Sequence, residues 1–132
     1  MHHQAISTAN APSPGGAYAQ AIRHGDLVVL SGQVGVDPAT GETVAGVAAQ
    51  TRQALRNLLA VLAAAGGAPE HLVKTTCFLT DVTAFAEFDA AYAEVLGDLR
   101  PTRSTVGVQL AGGFLVEIEG LAIVPSDAGA RP

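Results

Sequence analysis

Two stretches of this chain repeat apolar residues at helical spacing, and they restrict the possible folds because each apolar stripe must be buried against another element. The first predicted helix covers residues 47–65, ends at Gly66-Gly67 and leaves Gln50 and Asn57 off its stripe. The second helix begins after Thr83 as its N-cap and ends at Gly97. The two stripes are Val47, Thr51, Leu55, Leu58/Leu59 and Leu62 in the first helix, and Phe85, Phe88, Tyr92 and Val95/Leu96 in the second.

Short runs rich in β-branched residues flank the two helices and predict five β-strands. In the last run, Glu117 and Glu119 share a face with Leu121 and Ile123, because side chains alternate along a strand. The order ββ-α-β-α-ββ predicts an α+β domain in which two helices pack on one face of a mixed sheet. The runs are 18–36, which forms a hairpin around Gly25-Asp26, and then 73–79, 103–110 and 115–124.

The 132 residues fit a single domain, 1–132, with a loop-rich N-terminus at 1–17 and a flexible C-terminal tail at 125–132. Apolar residues make up 48% of the chain and charged residues 14%, a balance that excludes a disordered binder. The formal net charge of -5 argues against nucleic-acid binding. No apolar stretch reaches the roughly 20 residues that a membrane-spanning helix needs, and residues 1–10 lack the apolar region of a signal peptide.

The single cysteine, Cys77, excludes an intrachain disulfide and a cysteine-based zinc site. The four histidines lie in predicted terminal, turn or loop positions and show no metal-binding spacing. We therefore expect a cytoplasmic protein with no metal and no cofactor. These histidines are His2, His3, His24 and His71.

Arg103 and a pair of carboxylates are the best candidates for chemistry. Arg103 shares a predicted strand face with Thr105 and Gln109, and Glu117 and Glu119 lie on the next strand. A guanidinium can bind a carboxylate through two hydrogen bonds, and a nearby glutamate can hold or deprotonate a water molecule. The same residues could instead form a cross-strand ion pair on a solvated sheet face, which is the more common arrangement. The pattern alone leaves both interpretations open.

Several segments resemble the RidA/YjgF family of enamine and imine deaminases, in family order and across residues 7–124. The closest matches are Pro101-Thr102-Arg103-Ser104-Thr105-Val106 and Val116-Glu117-Ile118-Glu119. Other matching segments are Gly16-Ala17-Tyr18-Ala19-Gln20, Ser31-Gly32-Gln33, Asp37-Pro38-Ala39-Thr40-Gly41-Glu42, residues 47–57 and residues 73–79.

The resemblance implies a chorismate-mutase-like fold, a homotrimer with clefts between subunits, and cofactor-free hydrolysis of 2-imino acids and their enamines, such as 2-aminoacrylate and 2-iminobutyrate, to 2-keto acids and ammonia. By position, Arg103 would bind the substrate carboxylate and Glu119 would position the hydrolytic water. Tyr18, Ser31 and Gly32 would line the pocket.

Two substrate-site positions depart from the family pattern. Thr105 stands where deaminases often have cysteine, so a thiol nucleophile is not expected here. Asp89 stands where some members have asparagine, and its charge would oppose an anionic substrate if it points into the cleft.

Structural roles remain open for three of the other residues. Tyr18 could be a half-buried sheet aromatic, Ser31-Gly32 a β-bulge, and Cys77 a buried small hydrophobic residue.

Two other functions remain as alternatives: a non-catalytic small-carboxylate binder, and an endoribonuclease or translation inhibitor. The scattered cations and negative charge give little support to the second. Which subunit supplies each site residue depends on the strand register.

Overall fold

A computed structural model describes residues 2–125 of the chain. Six strands form one sheet in the order β1-β2-β3-β6-β4-β5. The strands are β1 (Gln4–Ile6), β2 (Ala21–His24), β3 (Leu27–Val34), β4 (Leu72–Leu79), β5 (Thr102–Gly107) and β6 (Val116–Ile123); the helices are α1 (Val47–Ala64) and α2 (Phe85–Leu96).

The predicted α+β class and mixed sheet are confirmed. Strands β4 and β5 pair in parallel, and the other neighbouring strands pair antiparallel. A parallel pair needs a crossover connection, and α2 lies in the chain between these two strands. The parallel pair therefore places α2 beside β4 and β5.

Both helices pack on one face of the sheet. Alternate residues of the central strands, such as Val28, Cys77 and Ile118, are buried in a common core with α1 and α2. Their neighbours in sequence point to the opposite face, which we call the open face. Apolar side chains of the open face, including Val29, Val106 and Ile123, are exposed in the single chain.

The prediction that Gln50 and Asn57 lie off the buried stripe of α1 is wrong, because both are buried. The Gln50 side chain donates to the Val44 carbonyl and accepts from the Leu115 backbone N–H. The Asn57 amide donates to the carbonyls of Val34 and Val36. The two amides form hydrogen bonds with backbone groups at the end of β3, in the segment that follows it and just before β6. Their burial therefore leaves none of these polar groups unpaired.

The N-terminal region is more ordered than predicted. Within the loop-rich segment 1–17, Gln4–Ile6 forms the edge strand β1, which pairs with β2 and buries Ile6. Three residues are too few to show an alternating pattern, so this strand could not be predicted from the sequence. Of the predicted C-terminal tail, 125–132, residues 126–132 lie outside the described residues.

Two predicted boundaries also differ. Asp81, not Thr83, caps the turn before α2: its carboxylate accepts hydrogen bonds from the backbone N–H and hydroxyl of Thr83. A short 3₁₀ turn, Val82–Ala84, separates this cap from α2. The strand predicted for 103–110 ends at Gly107. None of the helices described is long and apolar enough to cross a membrane.

Candidate functional site

A β-bulge at Ser31-Gly32 shapes one side of the candidate site. Leu30 pairs with Gly120 and Gln33 pairs with Ile118, so the two residues between them stand opposite a single residue of β6. The Ser31 hydroxyl donates to the Ala19 carbonyl at 2.6 Å, and this bond ties the bulge to the segment before β2. The alternative interpretation of Ser31-Gly32 as a bulge is thereby confirmed, and the bulge also lines a cleft.

Gly32 makes room for the Glu117 carboxylate. A Cβ atom at Gly32 would lie 2.2 Å from Oε2 of Glu117, so the carboxylate would have to move aside. Glycine at this position therefore lets Glu117 lie against the bulge. The close approach is the physical reason for glycine here, since the backbone of Gly32 does not have a positive φ.

Glu117 lines a cleft of about 530 Å³ together with Tyr18, Ser31, Gly32 and Phe114, which we call the Glu117 cleft. Tyr18 is 52% exposed, and its hydroxyl accepts a hydrogen bond from the Gly15 backbone N–H. Tyr18 precedes β2 and lies outside the strands, so its interpretation as an aromatic residue of the sheet is wrong.

Burial raises the pKa of Glu117, and the charge of nearby Glu119 raises it further. A raised pKa makes a carboxylate a stronger base toward water.

Glu119, which the resemblance implied as the water-positioning residue, lies outside the Glu117 cleft. It is exposed and lines a separate hollow of about 90 Å³ with Lys74 and Thr76. The carboxylate that the structure brings together with Tyr18, Ser31 and Gly32 is that of Glu117. The alternation along β6 places both glutamates on the open face. Of the two, Glu117 lies against the bulge and lines the cleft.

Arg103 lies in a second cleft, of about 380 Å³, whose lining includes Asp89, Tyr92, Arg100 and Pro101; we call it the Arg103 cleft. Nη1 of Arg103 donates to Oδ1 of Asp89 at 2.7 Å. The cross-strand ion pair considered for Arg103 is therefore not the one observed, because its partner lies on α2. Asp89 does enter the cleft.

Aromatic rings of α2 surround the Arg103 guanidinium. Its Cζ lies 4.7 Å from the centroid of the Tyr92 ring, 5.4 Å from that of Phe85 and 5.5 Å from that of Phe88. Ring faces attract a cation and restrict its motion, so this arrangement holds the guanidinium in place without using its N–H donors.

A buried hydrogen bond fixes the Tyr92 ring beneath Arg103. The hydroxyls of Tyr92 and Thr75 lie 2.7 Å apart, and the Cys77 thiol donates to the Thr75 hydroxyl. Burial raises the pKa of Cys77 to about 11, so its thiol stays protonated at neutral pH. This agrees with the interpretation of Cys77 as a small buried residue.

Thr105 is half-buried opposite Cys77 on the helix-covered face, and among the described residues it lines neither cleft. The resemblance implied that Thr105 belongs to the substrate site, and this stays a prediction. Thr105 shares a strand face with Arg103, two residues away, and lies on the opposite face from Glu117.

The two clefts lie on opposite faces of the sheet. Arg103 pairs with Thr75 of β4, which is buried on the helix-covered face, whereas Glu117 pairs with Phe78, three residues further along. An odd spacing along a strand reverses the direction of the side chain. The register therefore separates Arg103 from Glu117 within one chain.

No cluster of three or more histidine, cysteine, aspartate or glutamate side chains that could hold a metal ion occurs among residues 2–125.

Comparison with known proteins identifies the family. The sequence profile described as "Endoribonuclease L-PSP" matches residues 8–124. The 2-iminobutanoate/2-iminopropanoate deaminase of Escherichia coli strain K12 is 41% identical over 122 residues, which cover 89% of this chain and 95% of that protein. A RutC family protein of Pyrococcus horikoshii is 43% identical over 121 residues, covering 90% of this chain and 96% of that protein.

The crystal structure of E. coli TdcF with bound serine has a TM-score of 0.86 and 37% identity, covering 91% of this chain and 98% of that chain. The protein described here belongs to this family, the RidA/YjgF family that its sequence motifs resemble.

Proposed function

We propose that the protein hydrolyses 2-imino acids and their enamine tautomers, such as 2-aminoacrylate and 2-iminobutyrate, to 2-keto acids and ammonia. The observation that carries the proposal is the pair of complementary clefts, one with the Arg103 cation and one with the Glu117 carboxylate. The name of the E. coli relative supports the same reaction.

Arg103 is proposed to bind the substrate carboxylate. Its Nη1 is bonded to Asp89, but its remaining N–H donors have no acceptor among the described residues. A carboxylate can accept two charge-assisted hydrogen bonds from such a guanidinium. The surrounding aromatic rings fix its orientation, so the bound C=N carbon would be held in one place.

Glu117 is proposed to take the water-positioning role that the family resemblance implies for Glu119. Its carboxylate would accept a proton from water as the oxygen attacks the C=N carbon of the protonated imine. Glu117 then gives this proton to the nitrogen of the resulting carbinolamine. A lone pair of the hydroxyl oxygen forms C=O as the C–N bond breaks, ammonia leaves, and the hydroxyl proton passes to the Glu117 carboxylate or to solvent. The steps are hydrolytic, so the reaction needs no redox partner.

Tyr18, Ser31 and Gly32 would complete the site around Glu117. Tyr18 presents an exposed ring and hydroxyl at the mouth of the cleft, where they can contact the substrate. Ser31 anchors the bulge, and Gly32 leaves the space that the glutamate occupies.

A homotrimer is the proposed assembly, with each site formed between neighbouring copies. Within one chain the sheet separates Arg103 from Glu117, so a small ligand could meet both only at a contact between chains. The open face exposes Val29, Val106 and Ile123, an apolar surface that a partner copy would cover. Head-to-tail contacts of this kind close into a ring when the rotation between neighbouring copies closes, as it would in a trimer.

The direct test supplies the purified protein with imines generated in situ by a threonine dehydratase. We expect faster release of ammonia and 2-keto acid than in the dehydratase reaction alone, and no acceleration by the Arg103→Ala variant. Equal rates with and without the protein would contradict the proposal.

A non-catalytic carboxylate binder is the second candidate, because the Arg103 cleft could bind a carboxylate without Glu117. Saturable binding of a 2-keto acid without imine hydrolysis would favour it.

The family description also names an endoribonuclease, but the net charge of -5 gives RNA binding little electrostatic support. A cytoplasmic location remains part of our proposal, since a chain with one cysteine suits reducing conditions.

A further inference from the structure

The ion pair between Arg103 and Asp89 leaves other N–H donors of the guanidinium and the second carboxylate oxygen outside the contact. One hydrogen bond joins Nη1 to Oδ1, and the side chains are 23% and 48% exposed, respectively. Arg23 provides a contrast: its Nε, Nη1 and Nη2 all donate to backbone carbonyls. Arg23 therefore has a structural role, whereas Arg103 keeps donors for a ligand.

The unused donors of Arg103 are open to solvent. In the described part of the chain, no buried side-chain nitrogen or oxygen lacks a hydrogen-bond partner. Nε and Nη2 of Arg103 have no acceptor among those residues, so they are accessible to solvent, and Arg103 lines the cleft. A ligand carboxylate could bind there while Asp89 remains bonded to Nη1.

Asp89 gives the cleft both signs of charge side by side. A ligand with only a carboxylate would gain from Arg103 but be repelled by Asp89. A ligand with a carboxylate and a neighbouring cation would gain from both, because opposite charges attract at such short range. Arg100, which also lines the cleft, donates to the carbonyls of Gly97 and Leu99.

We propose that Asp89 determines specificity by making the Arg103 cleft select zwitterions, in particular the protonated 2-imino acid, over the anionic 2-keto acid. In the protonated imine, the positive nitrogen is bonded to the carbon that carries the carboxylate. Hydrolysis replaces this nitrogen with a neutral oxygen, so the product loses its attraction to Asp89 and keeps its repulsion. The inference rests on the proposed function and explains how one cleft could bind substrate and release product.

The test compares two stable ligands with the same carbon skeleton: L-2-aminobutyrate, a zwitterion, and 2-oxobutyrate, an anion. Dissociation constants are measured by calorimetry for the wild type, Asp89→Asn and Glu87→Gln. Glu87→Gln is the matched control, because it removes an exposed carboxylate from the same helix outside the cleft. Thermal melts check that each variant is folded, and Asp89→Ser replaces Asp89→Asn if the latter does not fold.

We expect the wild type to prefer the zwitterion and Asp89→Asn to shift the ratio of the two constants toward the keto acid by about tenfold. Glu87→Gln should leave the ratio within about twofold, as for an exposed charge that salt screens. An unchanged ratio in the Asp89 variant, or no binding of either ligand to the wild type, would overturn the inference.

The deaminase assay separates this inference from the proposed function. If the protein does not accelerate imine hydrolysis but the ratio shifts as expected, the proposed reaction fails and the zwitterion selectivity of the cleft stands. If hydrolysis is accelerated and the ratio does not change, the reaction stands and the role of Asp89 is wrong.

Discussion

Arg103 and Glu117 project from opposite faces of the same sheet, although their strands both pair with β4. Arg103 stands beside Thr75 and Glu117 beside Phe78, and the three-residue difference reverses the side-chain direction. One chain therefore presents two half-sites. This relationship makes an assembly of several copies necessary for the reaction that we propose.

Replacing Arg103 should impair catalysis more than folding. Arg103→Lys keeps the charge but loses the planar fork, so we expect kcat/KM to fall by about tenfold or more. The kcat/KM of Arg103→Ala should be lower still, because this variant also loses the charge that aligns the substrate. Kinetics are measured beside thermal melts and oligomer mass.

The control for Arg103 is Arg56→Ala, which removes an exposed arginine from α1 and should leave kcat/KM unchanged. Activity near that of the wild type in Arg103→Ala would refute the site. Loss of activity together with the oligomer would instead indicate a structural role.

Adding a methyl group at Gly32 should disturb Glu117. The new Cβ would fall 2.2 Å from the Glu117 carboxylate and force it away from the bulge. We expect Gly32→Ala to lower kcat/KM by about tenfold or more, since small displacements of a positioned group are costly. In a Glu117→Ala background the same change should have little further effect, and additive losses would show that Gly32 acts independently of Glu117.

The raised pKa of Glu117 should appear in the pH dependence of stability. Burial raises its pKa in the folded state, so its contribution to the free energy of unfolding is present below the unfolded pKa and is lost as the pH rises through the folded pKa. Glu117→Gln should therefore raise Tm relative to the wild type near pH 7, and less so near pH 4. Glu87→Gln controls for the loss of one charge. A larger gain for Glu117→Gln at the acidic pH would contradict this assignment.

Removing the Tyr92 hydroxyl should lower stability while the ring stays beneath Arg103. Tyr92→Phe leaves the fully buried Thr75 hydroxyl without its partner on α2, at a cost of about 1–2 kcal/mol in the free energy of unfolding. Chemical denaturation measures the loss, and kcat should change little. In a double-mutant cycle with Thr75→Val, the two losses should be less than additive; full additivity would mean that the hydroxyls do not interact.

Local sequence patterns predicted the main helices and strands, because each pattern results from the burial of one face of the helix or strand. The apolar stripe of α1 and the alternation in β6 both follow from burial against a single core, and the structure confirms them. The edge strand β1 and the buried amides of Gln50 and Asn57 depend on hydrogen bonds with distant segments. No short window of sequence contains those partners.

The candidate site was predictable in its residue types and not in its geometry. The sequence singled out Arg103, two glutamates and the Ser31-Gly32 pair, but the choice between Glu117 and Glu119 depends on where the bulge stands against β6. The contact between Asp89 and Arg103 arises from the packing of α2 on β5. Tertiary register sets both, and a one-residue shift of a strand would turn its side chains to the opposite face of the sheet.

The most direct measurement mixes two variants, Arg103→Ala and Glu117→Gln, each of which should be inactive alone. The proteins are unfolded and refolded together in equal amounts, and mass spectrometry confirms that mixed oligomers have formed. If each site takes Arg103 from one copy and Glu117 from its neighbour, random assembly leaves about one quarter of the sites with both wild-type groups, and about that share of wild-type activity should return. Mixed oligomers with no recovered activity would contradict a site shared between chains.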